Sequence, residues 1–236
     1  KKEQKCVVIC VSCYRVIMRV KNEWDIITPG EGSKGRMFVM KSDVSGFYQQ
    51  VLGITEPVLV QELISVTELC HLKKKEILVK EEQPLSYISF VISGIFRGFF
   101  LDVNGRDITD CFAFRYGESV IAVFDLNACS VVTIEALTEG VLLNIPIEVV
   151  AKLLKENILL LRIYNKLLID ALERHWEIKN TLHKQTAKER YQWFLTAYPG
   201  LIDRVTHRYI ASFLEMSPVT LSRLRSAKSN MQPKGK

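Results

Sequence analysis

The chain has 236 residues, 48% of them hydrophobic and 25% charged, with a formal net charge of +6. That size suits one large domain or two small ones around a real core. Six cysteines scattered through so long a chain exclude a disulfide-stapled mini-protein and point to reduced thiols in the cytoplasm, and no apolar run is long enough to cross a bilayer.

Residues 1–39 differ from the rest. Lys-Lys-Glu-Gln-Lys precedes the apolar run CVVICVSCYRVIM, which resembles a secretory leader but has no small-residue cleavage site and is interrupted by Arg15 and Arg19. Cys6, Cys10 and Cys13 have the spacing radical-SAM enzymes use to hold an iron–sulfur cluster. Such an enzyme also needs a βα barrel, and no run of alternating strands and helices follows. The expectation is an incidental, disordered basic tail over 1–39. Met40 then opens a stretch that looks like an ordinary cytosolic start.

A helical or turn-rich lead-in runs from Phe47 to Cys70, and after His71 the apolar period changes to two. Strands are expected at 76–80, 87–92, 95–101, 106–114, 131–137 and 141–145. Asn104-Gly105 between two of them is a strong hairpin signal, because both residues accept positive φ. Evenly spaced short strands imply an antiparallel, jelly-roll-like β-roll over 40–147. Pro146 ends the strands. From Glu148 the spacing is helical, and Leu161, Tyr164, Leu168, Ala171, His175, Ile178 and Leu182 alternate by three and four. That seam predicts a dimerisation helix over 148–185, with His175 as a packed histidine rather than a metal ligand. The competing reading is a helix lying on its own roll. Thr186 is placed to cap the next helix, whose apolar face includes Tyr191, Phe194 and Leu195; Pro199-Gly200 ends it.

Two helical patterns around a tight corner follow, in THRYIASFLEMSPVTLSRLRS over 206–226. Tyr209, Ile210, Phe213 and Leu214 form one inner face, and Leu221 and Leu224 the other. Ser217 stands at an N-cap and Pro218 at the first helical position. The outer face keeps Val219, Thr220, Ser222, Arg223 and Arg225. Hydroxyls, a methyl-bearing side chain and arginines suit the major groove of DNA. Charge agrees: Thr206 to Lys236 holds six Lys/Arg against one acid, whereas 42–205 holds 17 against 21. A basic C-terminal unit behind an acidic body fits a nucleic-acid reader with a separate regulatory domain. Residues 186–236 are therefore expected to be a helix-turn-helix domain, and the fold class α+β.

YIASFLEMSPVTLSRLRS is similar to the "IA..LG.S..T.SR" signature of the CRP–FNR family of bacterial transcription regulators, and ISGIFRGFFLDVNGRDIT is similar to that family's hairpin pattern "I..G.v.....d..G.....". The resemblance spans roughly Val79 to Ser226. It implies a homodimer, a small-molecule effector in the roll, operator DNA as partner, RNA polymerase as a further partner, and no catalytic activity. Carried over by position, Ser217, Pro218, Val219, Thr220, Ser222 and Arg223 fall where the family contacts DNA. Gly117, Glu118, Ser119, Cys129 and Ser130 fall in the effector pocket. Gly117-Glu118 match the opening of the cyclic-nucleotide cassette, but Cys129-Ser130 stand where an Arg-Ser pair would close it. Without that arginine a cyclic phosphate lacks its charge-assisted partner, so cyclic AMP or GMP is not the expected effector. No cofactor is expected. An iron–sulfur or haem sensor of the same family is the alternative within the fold, and the radical-SAM enzyme the alternative outside it.

Overall fold

A computed structural model describes residues 41–120 and 125–229. The expected tail over 1–39, with Cys6, Cys10 and Cys13, lies outside the described residues.

Two helices open the described chain, α1 (Lys41–Gln50) and α2 (Pro57–Val66). Seven strands follow: β1 (Glu68–Leu72), β2 (Ile77–Val79), β3 (Tyr87–Ser93), β4 (Phe96–Leu101), β5 (Asp107–Ala113), β6 (Thr133–Ala136) and β7 (Gly140–Pro146). They pair antiparallel in two sheets, ordered β1-β7-β3 and β2-β6-β4-β5. The expected roll is present. β1 is an addition, because ELCHL carries no clean alternation and pairs with β7 through register rather than pattern. The Asn104-Gly105 corner is wider than a two-residue turn. Asp102 Oδ1 accepts the N–H groups of Asn104 and Arg106, both at 2.9 Å, and Gly105 takes the left-handed conformation (φ 71°).

The two faces of β3 go to different cores. Val91 joins Phe96, Ile134, Ala136 and Leu142 inside the roll. Ile88 and Phe90 face the opposite way and meet Leu143 and Ile145 of β7 under α1 and α2. In that second core Tyr48 is fully buried, and its hydroxyl bonds the Thr67 hydroxyl. Burial pushes the Tyr48 phenol up to about 12, with the Thr67 bond offsetting part of the rise. An unfolded tyrosine ionises near pH 10, so between pH 10 and 12 the unfolded state loses its proton first and stability falls as pH rises. The whole window amounts to roughly 3 kcal/mol. Urea unfolding at pH 9 and 11 should show the wild-type chain losing more stability than Tyr48→Phe; equal losses would show that Tyr48 does not contribute.

After the roll come α3 (Ile147–Glu156) and α4 (Ile158–Lys184). The expected single helix is broken at Asn157, whose side chain accepts the N–H groups of Leu159 and Leu160 and so caps α4. Next are α5 (Ala187–Ala197), the single turn α6 (Leu201–Arg204), α7 (His207–Phe213) and α8 (Pro218–Ser229). Thr186 and Glu189 form a reciprocal capping box at the start of α5. The four-residue α6 leaves no periodic signal to read.

The helical C-terminal part does not stand apart from the roll. Ile95 and Phe112 of the roll share one core with Ile178 of α4 and with Phe194, Tyr198, Phe213 and Leu221. The Phe112 ring meets those of Phe194, Tyr198 and Phe213 at centroid distances of 6.4, 6.3 and 5.4 Å.

Candidate DNA-binding surface and its regulatory body

The C-terminal corner is built as its residue types require. Ser217 Oγ accepts the Thr220 N–H at 3.0 Å, and Pro218 opens α8 where no N–H is needed. Leu221 is buried against α7 and Leu224 half-buried. The corner itself turns on Glu215, which has φ 50°. Glycine occupies that place in the family signature, and a left-handed side-chain-bearing residue there is strained. Arg190 of α5 spans the joint, donating to the carbonyls of Glu215 (3.2 Å) and Leu182 (2.9 Å).

Of the expected DNA-contacting residues, Pro218, Val219, Ser222 and Arg223 are exposed together on α8, Val219 at 59%. Thr220 is half-buried and shares a 2.9 Å hydroxyl contact with Ser217. Arg225 is exposed as well, and it is engaged at the surface. Its guanidinium is tied to Asp203 at 3.0 Å and contacts the His207 ring, which bends it back toward α6 and α7.

The expected effector-pocket residues are occupied within their own turn. Glu118 is buried; its carboxylate accepts the N–H groups of Phe114 (2.7 Å) and Arg115 (2.8 Å) and pairs with the Arg115 guanidinium at 3.0 Å. Burial pushes the Glu118 carboxyl above its ordinary range, while Arg115 and the backbone donors pull it down. Arg115 also donates to the Ala197 carbonyl, so it leads from the cassette to the end of α5 rather than into the roll. Gly117 takes φ 83° and donates its N–H to the Val91 carbonyl at 2.8 Å. Ser130 is buried, with its hydroxyl on the Val132 carbonyl at 2.6 Å; Cys129 is exposed. Ser119 lies on a different face and lines an apolar cleft outside the roll. Among the described residues no group of three His, Cys, Asp or Glu is placed to hold a metal.

The residues expected on the α4 seam are buried or half-buried within the chain itself. Ala171 and Ile178 are buried in the chain's own body, Tyr164 packs on the core beneath α1 and α2, and Leu182 on the core shared with the roll. Leu161 and Leu168 are half-buried and line clefts beside the roll. His175 is half-buried, and the inward place beside it belongs to Arg174, which is buried and paired with Glu177 at 2.9 Å. Here the helix lies on its own roll. Apart from Leu159 in the first turn, the large apolar residues left outside are Ile158 (65% exposed), Ile169, Leu172 and Trp176 (51%). They too follow three–four spacing, one position further along, and a one-residue shift turns a helix face by about 100°. Spacing alone cannot distinguish the two stripes.

Arg97 is the residue that pattern reasoning missed. It is 1% exposed on β4, donates to both Asp107 carboxylate oxygens at 2.8 Å, and lies 2.7 Å from Glu135. Its guanidinium is sandwiched between the rings of Phe99 (4.2 Å) and Tyr209 (3.7 Å), the latter on α7. Beside it Thr109 donates its N–H to Ser212 Oγ at 2.9 Å. The available signal was an arginine inside the apolar run IFRGFF, where an unpaired charge is not tolerated.

Residues 69–157 match the family model of the cyclic nucleotide-binding domain. Three solved structures share the architecture. FixK2 of Bradyrhizobium japonicum is 19% identical, with a TM-score of 0.65 over 72% of this chain and 88% of its own. A CRP/FNR-family protein of Eubacterium rectale is 19% identical, with a TM-score of 0.61 over 78% and 88%. The c-di-GMP-responsive regulator CLP of Xanthomonas campestris is 14% identical, with a TM-score of 0.59 over 74% and 93%. The chain has the fold these CRP–FNR structures share. No curated protein matches it. Within the CRP–FNR fold the cassette turn of this chain is self-satisfied and its C-terminal helices share a core with the roll. No described helix is long and apolar enough to cross a membrane.

Proposed function

We propose that the chain is a homodimeric, DNA-binding transcription regulator without catalytic activity, acting in the cytoplasm on operator DNA and, through it, on RNA polymerase. The observation that carries this reading is the outward face of α8, where Val219, Ser222 and Arg223 stand exposed on a serine-capped helix braced from beneath by Leu221 and Arg190. Hydroxyl, methyl and guanidinium groups in that order can address base edges, and the other basic residues can meet phosphates. On this reading 40–147 senses, 148–185 pairs and 186–236 reads DNA. The self-satisfied Glu118 and the exposed Cys129 support an effector other than a cyclic nucleotide.

The test is selection of binding sites from random duplexes, followed by titration of the winner. Arg223→Ala is expected to weaken operator binding by about 1–3 kcal/mol if the guanidinium forks onto a guanine. Equal loss on operator and random DNA would make it a phosphate contact.

Pairing falls to the exposed stripe of α4. Burying it against its own copy would remove several large apolar side chains from water, each worth roughly 1.5–3 kcal/mol. Two-fold symmetry counts each change twice, so Leu172→Asp should weaken the dimer by roughly 3–6 kcal/mol. Sedimentation equilibrium would show it. A dimer that survives Leu172→Asp but not a change at Leu168 would return pairing to the first seam.

A further inference from the structure

A small cleft of about 80 Å³ lies on the outer face of the β1-β7-β3 sheet. It is on the other side of that sheet from the roll interior, because Ile88 and Phe90 face it while Val91 faces inward. Phe90 and Tyr48 form its floor, Leu153 of α3 one wall, and Ile163 and Leu167 of α4 the opposite wall. Among the described residues none of its lining side chains is charged, and the hydroxyls there are those of Tyr48, Ser119 and Tyr164. The Tyr48 hydroxyl is engaged with Thr67.

Protein interiors are close-packed, and large aliphatic walls that fail to meet forfeit their dispersion contacts. Apolar space of this kind takes up an apolar molecule in preference to water, which finds too few hydrogen-bond partners there. Its lining, apolar with a few hydroxyls, is that of small-molecule sites. An anion would find no cation in this lining, and its desolvation would go uncompensated. We propose that this cleft is a binding site for a small, uncharged, largely apolar molecule, held between the sensor sheet and α4. The site rests on its walls alone and holds whether or not the chain reads DNA.

The probe is the neutral fluorophore N-phenyl-1-naphthylamine, titrated into the full chain. Saturable, blue-shifted emission at one site per chain is expected, displaced by decanol and not by cyclic AMP. Leu167→Trp, which fills the cleft from α4, should weaken binding at least tenfold, whereas Val58→Trp on the exposed side of α2 should leave it unchanged. If Leu167→Trp does not fold, as judged by circular dichroism, the smaller Ile163→Phe carries the same expectation. Dye binding should also raise the melting temperature of the wild-type chain and not that of the filled variant. Absence of saturable binding would overturn the proposal. So would binding that survives both cleft variants, or binding lost in Leu172→Asp but kept in Leu167→Trp, which would put the dye on the exposed α4 stripe.

Discussion

Arg97→Ala should lower the unfolding free energy by about 3–5 kcal/mol, the usual cost of removing one partner of a buried ion pair. The substitution leaves Asp107 and Glu135 facing each other across the space the guanidinium filled. It also removes the cation from between Phe99 and Tyr209. Lysine is not a substitute, because a point charge cannot match the two parallel bonds to Asp107 or stack between two rings. Chemical denaturation measures the loss. A second expectation separates the charge effect from simple cavity formation. The triple variant Arg97→Met, Asp107→Asn, Glu135→Gln should recover much of the stability, since no uncompensated charge remains. A loss below about 1 kcal/mol for Arg97→Ala, the scale of a surface pair, would show the cluster to be solvated.

Phe112→Ala should be nearly as costly, at about 3–5 kcal/mol, because the side chain is fully buried and its neighbours cannot collapse into the space. Phe194 and Phe213 already contact one another and Tyr198, so the remaining rings are held in place around the gap. Phe112 is the ring that β5 sends into the helical unit. Its loss should therefore turn one cooperative unfolding transition into two, the residues of α5 and α7 exchanging their amide hydrogens ahead of the roll. A single transition with native exchange rates in α5 and α7 would show that the remaining ties, among them Arg97, the Arg115–Ala197 bond and the Thr109–Ser212 bond, hold the joint without Phe112.

The strands were legible because short runs with period-two alternation end at Ser93-Gly94, Tyr116-Gly117 and Glu139-Gly140, where left-handed or close-packed backbone needs glycine. Thr186 and Ser217 were legible as caps because their partners lie three residues on. The face of α4 was not, since two apolar stripes one residue apart share the same spacing and only tertiary contact decides which is covered. Arg225 was legible as an outward cation, but its tie to Asp203, 22 positions away, was not. The turn at Tyr116-Gly117 was legible, yet nothing in Gly117-Glu118 says that the carboxylate will be spent on its own turn. Arg97 sat in the apolar run IFRGFF, but its partners come from β5, β6 and α7, which no local pattern joins.

The shared core around Phe112 bears on how freely the C-terminal helices could be transplanted. A fragment cut at 186–229 would leave Phe194, Tyr198 and Phe213 without Phe112 and Ile95, exposing contiguous aromatic surface of the kind that drives association. A chimaera that moves these helices onto another roll must therefore carry β4 and β5 with it. Alternatively, the host roll must present an aromatic at the place of Phe112 and an arginine at that of Arg97. Modularity in this chain is cut along a line that crosses its domains rather than one that runs between them.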